Sequence, residues 1–490
     1  MSEIIMTPQA LNRVNETNIR AFWRNVAPIL QKREALFNEY TKKDCVADAL
    51  LSHNNDYKVY TPIPQYAVDI ATGYFIGKPC KYYSRTDTTV EKVDTAVGKK
   101  AIFKTTDKPI NENYVNAYVA IMRENHEDEV NINITQNAMI CGTAYERIYT
   151  VRDGDNKTRI RFKPLNPRSC VLIKDATLEA NPIGFISHEC ITDWETGQRT
   201  DTFEFITQNR WDKFVFEDNS LSNRVNMLAD APNAALLKLV GIPVVEYSMP
   251  YHMSLFENVL SQIKSRDYLY NNLKNTFKYN DEAIMVLTGF LRPSSKEEER
   301  ERKASLEEFK TLYLDDTGKV EWLIKKVDIG AIQNFFEDLT NDIYASLGLK
   351  NPVRTGEAYQ NLSAVRLHNY GLDNKILIFE RGYERSLLEG RAKKITALLN
   401  ALTGEKYNWE TLDVNFERNT PSSLIEEAQF ASQMAASGVI SDADIVDRLT
   451  FIENTDAAIR RKQAQDAEAA KTITDIIDNG KQNHKDTLNE

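Results

Sequence analysis

Residues 241–288 read GIPVVEYSMPYHMSLFENVLSQIKSRDYLYNNLKNTFKYNDEAIMVLT. A short apolar strand comes first, Pro250 breaks it, about seven turns of amphipathic helix follow, and a second apolar strand closes the run. Phe256, Val259, Leu260, Ile263, Tyr270, Leu273 and Phe277 recur at steps of three and four, which places them on one stripe of a 3.6-residue helix, widened by Leu255 and Leu269. Ser254 with Glu257 three residues on has capping-box spacing and predicts the helix start. Asn280 and Asp281 mark its end, before the strand-length run Ala283 to Leu287.

Downstream, residues 296–314 form a second helical stretch that is charged all round in its first half, KEEERERK. A turn at Asp315 to Gly318 leads into Lys319 to Ile324, a strand suited to pair with Ile284 to Leu287. Ile332, Phe335, Phe336, Leu339 and Ile343 then mark a second amphipathic helix, which can run antiparallel to the first. After a polar loop, a long helical pattern runs from about Leu362 to Leu402 and contains Gly371, Gly382 and Gly390. Each helical Gly costs roughly 1 kcal/mol against Ala, so three of them predict a kinked or closely packed helix.

This order resembles the portal proteins of tailed bacteriophages, particularly the long-tailed siphophage type. Four further stretches carry the resemblance: YAVDIATGYFIGKPCKYY from Tyr66, GTAYERIYTVRDG with FKPLNPRSCVLI, NLSAVRLHNYGLDNK from Asn361, and VNFERNTPSSLIEEAQFASQMAASGVISDADIVDRLTFIENTDAAIRRKQAQ from Val414. Two departures are Ala364, where the family usually has Gly, and Arg366, which replaces a small residue. The resemblance implies an α+β portal fold with a mixed α/β wing (1–250), stem helix 1 (251–281), a small α/β clip (282–328) and an antiparallel stem helix 2 (329–348). A tunnel loop (349–361), a long kinked helix with a wing strand (362–418), a helical crown (419–478) and a disordered tail (479–490) complete it.

It also implies a function. The chain would be a non-enzymatic subunit of a dodecameric ring at one capsid vertex, through which double-stranded DNA is packaged and ejected. Its partners would be the terminase large subunit, capsid and scaffolding proteins, and a head-completion adaptor, with no cofactor and no membrane. Lys350, Arg354, Gln360 and Arg366 are the expected DNA-near residues, and Glu297, Glu298, Arg300, Arg302 and Lys303 the expected terminase-docking surface. Phe256, Val259, Leu260 and Ile263 would pack against Phe335, Phe336, Leu339 and Ile343 and against the next subunit. Gln262, Arg266 and Lys274 would then face the channel or neighbouring proteins.

Composition agrees with this reading. With 490 residues, 42% hydrophobic and 27% charged, the chain has material for about three domains of ordinary globular make-up. No run reaches the roughly 18 apolar residues of a membrane span, and Met1-Ser2-Glu3 lacks a signal-peptide pattern, so synthesis in the host cytoplasm is expected. A net charge of −10 argues against a protein built to grip nucleic acid. Between Lys350 and Lys394, however, nine basic residues face five acidic ones, with Arg381–Glu384 and Glu389–Lys393 as expected helix pairs.

The chemistry of enzymes is not written here. Five cysteines are scattered with no C-x-x-C, and read as reduced and mostly buried. Six histidines form no metal-ligand spacing; His188 and Cys190 share a strand face but lack a third candidate ligand nearby in sequence. Gly77-Lys78-Pro79 lacks the upstream Gly of a phosphate loop. The alternatives are a non-catalytic cytoplasmic scaffold or an unrecognised nucleic-acid-processing enzyme. Finally, Phe22, Trp23, Val26, Ile29 and Leu30 form an N-terminal stripe that would clasp a neighbour, and residues 84–113 read as a polar surface excursion.

Overall fold

The computed structural model describes residues 3–51, 58–94, 101–152, 154, 157–218, 220–281, 284–288, 295–309, 319–323, 328–351, 362–419, 424–438, 445–446, 449, 452 and 458–466. Contacts divide the chain into two units, residues 1–355 with 368–419, and residues 356–367 with 420–490.

The chain opens with β1 (Ile4–Ile5), α1 (Pro8–Asn12), α2 (Ile19–Thr41), α3 (Lys43–Leu51) and α4 (Ile63–Ile76). Then come β2 (Lys81–Ser84), β3 (Thr86–Asp94), β4 (Ala101–Pro109), α5 (Glu112–Glu124) and α6 (Glu127–Cys141). A strand-rich stretch follows: β5 (Thr143–Arg152), β6 (Thr158–Leu165), β7 (Cys170–Lys174), β8 (Pro182–Thr192), β9 (Arg199–Thr207), β10 (Arg210–Glu217) and β11 (Ser220–Asn226). Six of these strands form one sheet in the order β1-β7-β8-β9-β10-β11, antiparallel except for β1 on β7.

Alternation on this sheet sends Phe203, Phe205, Phe214 and Phe216 to one face, where they meet Ile19, Val26 and Leu30 of α2 in a separate core. The N-terminal stripe therefore packs on its own chain's sheet. The sheet supplies enough apolar surface to satisfy it. Within the stretch 84–113, β3 and β4 pair from Thr86↔Pro109 to Asp94↔Ala101.

α7 (Ala231–Val240) and β12 (Val244–Ser248) come next, and β12 completes a three-stranded sheet in the order β12-β5-β6. α6 ends at Gly142, whose φ of +78° and close approach to the His252 carbonyl (2.4 Å from where a Cβ would sit) leave no room for a side chain. After β12 the chain turns at Pro250–His252, against Gly142, and leads into α8 (Leu260–Asp281). The Ser254 amide donates to Glu257 Oε2 at 3.1 Å, as in a capping box, but Ser254 Oγ donates to the Met139 carbonyl, and a 3₁₀ turn (Glu257–Val259) precedes α8. A tertiary acceptor thus delays the helix start predicted at Ser254.

β13 (Ile284–Thr288), α9 (Lys296–Phe309) and β14 (Lys319–Leu323) follow, with β13 and β14 antiparallel in the register Ile284↔Leu323 to Thr288↔Lys319. α10 (Ile329–Leu347) is capped by Asp328, whose carboxylate accepts from the Ala331 amide at 3.0 Å. The final elements are α11 (Leu362–Arg385), a π-helical turn (Ser386–Ala392), α12 (Lys393–Thr403), β15 (Leu412–Asn415) paired with β2, and α13 (Leu424–Ser437) in the second unit.

The glycines of the long helix act by contact. Gly371 lies against Gly348, where a Cβ on either would meet backbone atoms of the other. Gly390 sits inside the π turn with Val245 Cγ1 2.5 Å from where its Cβ would be. The helix therefore departs from α geometry where it presses on β12.

Candidate DNA-channel and docking surfaces

α8 and α10 cross antiparallel. Arg266 Nε donates to Thr340 Oγ1 at 2.9 Å, and one step further along α8, Tyr270 meets Phe336 one step earlier along α10, with ring centroids 5.7 Å apart. Near the start of α8, Phe256, Val259 and Ile263 are buried, as is Ile343 of α10, while Leu260, Phe336 and Leu339 are half-buried. Further along, the stripe is left open: Tyr270 and Phe277 of α8 and Phe335 of α10 are 46%, 53% and 59% exposed. The apolar stripe is thus only partly used within one chain.

The polar side of α8 corrects an expectation. Arg266 does not face outward: it bonds Thr340 and Thr61, lies 4.4 Å over the Phe336 ring, and is pulled below the usual arginine pKa by burial. Its neighbour Asp267 accepts from the Thr61 amide at 3.0 Å, and Asn271 brackets Val59 through both its amide atoms. Gln262 is half-buried, with an Oε1 that has no partner. The side facing solvent is instead Ser261, Lys264, Ser265, Tyr268 and Asn272.

β13, α9 and β14 join the ends of α8 and α10 that lie together, since the two helices are antiparallel. On α9, Glu297 and Arg300 are exposed and Glu298 partly so. Arg302 and Lys303 lie on the same helix, and nothing further about their side chains is described. Lys350 is half-buried just beyond α10, beside Asn351, whose amide donates to Asn341 at 3.2 Å. Arg354 and Gln360 fall outside the described residues, and Arg366 is placed only as a position on α11.

Several of the basic residues between 350 and 394 are consumed inside the chain. Lys375 donates to the Ser346 carbonyl, and burial lowers its pKa. Arg381 pairs with Glu384 at 3.0 Å as the spacing predicts, but Glu389 pairs with Arg385 at 2.8 Å and not with Lys393, which lies 5.8 Å from the Trp409 ring centre. The π turn shifts helical phase at this point, so an i,i+4 pairing read across it fails. Lys394 donates to the Ile242 carbonyl at 2.9 Å, and burial, with Lys393 adding to it, brings its pKa down to about 8.

Arg391 is fully buried at the π turn. Its Nη1 donates to Glu127 Oε1 at 2.8 Å, Nε to Glu146 Oε2 at 2.9 Å and Nη2 to Asn131 Oδ1 at 2.8 Å. Glu146 Oε1 also lies 2.8 Å from Nη2, an ion-pair contact without hydrogen-bond alignment. Tyr82 donates to Glu127, Tyr247 to Glu146 and Tyr383 to Asn131. Burial opposes the guanidinium charge, but Glu146, then Tyr247 and Glu127, outweigh it and hold the pKa above the usual arginine value. Burial pushes the Glu127 carboxyl up, and Arg391 only partly offsets it. One side chain thus ties the long helix to α6, β5, β12 and β2. Sequence reading missed this network. Its only trace is Glu146 among the apolar residues of β5, with its partner Arg391 245 residues away.

The His188 strand face does gain a neighbour, because His188 Nε2 lies 3.0 Å from Asp201 Oδ1. Arg199 donates twice to the same oxygen, which makes this an ion-pair cluster. Among the described residues no group of three or more His, Cys, Asp or Glu side chains is placed to hold a metal, and no helix is long and apolar enough to cross a membrane. The described cysteines are all free, with Cys141 and Cys170 buried and Cys190 exposed.

The antiparallel helix pair, the small α/β insertion between its helices and the long broken helix fit the order of elements expected of a portal protein. Residues 37–472 match the family model described as phage portal protein, SPP1 Gp6-like, and the chain belongs to that family. It is a phage portal subunit, part of an oligomeric ring at the capsid vertex that works with the DNA-packaging machinery. The family is generally non-enzymatic. No curated protein matches the chain.

Proposed function

We propose that twelve copies close into a ring at one capsid vertex, with α8 and α10 as the stem, β13-α9-β14 as the clip, residues 349–361 as the tunnel loop and the C-terminal helices as the crown. Double-stranded DNA passes through this ring on packaging and ejection. The observation that carries the reading is the antiparallel α8–α10 pair, whose aromatic residues remain open beyond the stretch buried within one chain. Repeated head-to-tail contacts of one kind close into a ring when the rotation closes.

Lys350, Arg354, Gln360 and Arg366 are the DNA-near residues in this arrangement. Glu297, Glu298, Arg300, Arg302 and Lys303 present alternating charge to the terminase large subunit and later to a head-completion adaptor, while capsid and scaffolding proteins meet the ring elsewhere. Assembly takes place in the host cytoplasm. Replacing Lys350, Arg354 and Gln360 together by Ala should lower DNA packaging while negative-stain images still show rings with a central hole. Normal packaging by that variant refutes the tunnel assignment, and solid particles without a hole would favour a scaffold that has no channel.

A further inference from the structure

The six-stranded sheet ends on β11, a seven-residue strand exposed along its whole length and paired, among the described residues, with β10 alone. The opposite edge is β1, a strand of only two residues paired, among the described residues, with β7 alone. An open edge presents unpaired N–H and C=O groups, which proteins blunt, cover or pair with another chain. After an irregularity between Val215 and Phe216, the stretch from Asn223 to Asn226 is in regular register, so its outer side is offered as an ordinary ladder. Leu221 and Val225 on this strand are exposed as well.

The same chain carries an element with the converse need. β3 and β4 are nine residues each and form a two-stranded sheet that no third strand joins among the described residues. Such a ribbon is marginal in water until another strand or an apolar surface supports it. At about 3.4 Å per residue it reaches about 30 Å, far enough to meet a neighbouring molecule.

We propose that the β3–β4 ribbon of one copy extends the six-stranded sheet of the next, with β3 lying antiparallel along β11. The proposal rests on the ring reading above and names one of the contacts that would hold the ring. Each copy supplies one such ribbon and one β11 edge. Their pairing is therefore head-to-tail, and the same contact repeats around a closed assembly.

Charge sets the direction. The connection between β3 and β4 carries Lys99 and Lys100, whereas the β11 end that begins at Ser220 follows Glu217 and Asp218 and lies beside the β8–β9 turn with Asp193 and Glu195. Arg199 is the only basic residue in those two turns and their flanking strand ends from 189 to 199 and 217 to 220. Placing the lysines at this acidic end makes β3 run against β11, as β8 through β11 already run against one another. The same placement would make β4 parallel to β11. Complementary potentials of this kind fix register and suppress wrong partners.

The test uses the full chain in a Cys190→Ser background. Thr89→Cys is combined with Asn223→Cys, and the β11 position is scanned by one and two residues either way to cover the register. Oxidation of purified rings should give a ladder of inter-chain disulfide-linked species for at least one pair on a non-reducing gel. A second variant, with residues 86–109 replaced by a short Gly-Ser link, should lose at least tenfold in ring population at a concentration where the wild type is fully assembled. Rings that form normally without the ribbon, a disulfide that closes within one chain, or no inter-chain disulfide in any register would overturn the pairing alone. Absence of rings in the wild type would overturn the ring reading and the pairing with it.

Discussion

Arg391 is a cation with two carboxylates in a site closed to water, and the arrangement holds because every polar atom of the guanidinium has an aligned acceptor or ion partner. Arg391→Met should destabilise the chain by about 3–5 kcal/mol, because Glu127 and Glu146 would be left buried without their cation. Urea unfolding measures this, and a loss under about 1 kcal/mol would mean that the carboxylates find water or a proton at no cost. Lys394 gives a second prediction. Its folded pKa of about 8 lies below the ordinary 10.5, so the folded state gives up the proton first. The burden of keeping it charged is fully present below pH 8 and disappears as pH rises toward 10.5, which means stability contributed by this group increases across that window, by about 3 kcal/mol at most. The urea midpoint of the wild type should rise between pH 7.5 and 10 relative to Lys394→Met, which has no such proton to lose.

Among the elements, α8 and α10 show what periodicity can and cannot say. The stripe from Phe256 to Phe277 was legible because its apolar side chains repeat at the 3.6-residue period of a helix over several turns. Which half of it faces the same chain was not legible, since burial depends on where Thr61, Phe336 and Thr340 arrive. Arg266 makes the point: it is charged, yet three residues after Ile263 and four before Tyr270 it lies on the stripe itself and bonds across the helix pair. Phe277→Asp with Phe335→Asp should leave the unfolding of the isolated chain within about 0.5 kcal/mol of wild type, because both rings are exposed, while ring formation falls sharply in mass photometry. Unchanged rings would remove this face from the subunit contact. The pairing of β13 with β14 was readable from two apolar runs around a charged helix. The Glu389–Lys393 pair was misread because the π turn cannot be recognised from Gly390 alone.

For the whole molecule, net charge and its placement argue for a passive channel. The chain carries −10, and Lys375, Arg381, Arg385, Arg391 and Lys394 are engaged with its own carbonyls and carboxylates. Purified rings should therefore bind duplex DNA no more tightly than about 10⁻⁶ M at physiological salt, with no sequence preference, in a fluorescence anisotropy titration. A salt-resistant, sequence-specific complex would contradict a conduit that lets DNA slide.

By itself the sequence determined the order of elements, the amphipathic helix pair and the α/β insertion between its helices, and its resemblance to portal proteins pointed to the family. Those properties are local or additive along the chain, so they survive without coordinates. Only the tertiary structure decided that Arg391 is buried among Glu127, Asn131 and Glu146, that α2 rests on its own sheet, and that β11 and the β3–β4 ribbon each leave an edge open. Burial, ion pairing and edge exposure depend on which distant residues meet, and separations such as the 245 residues between Glu146 and Arg391 leave no periodic signal in the sequence.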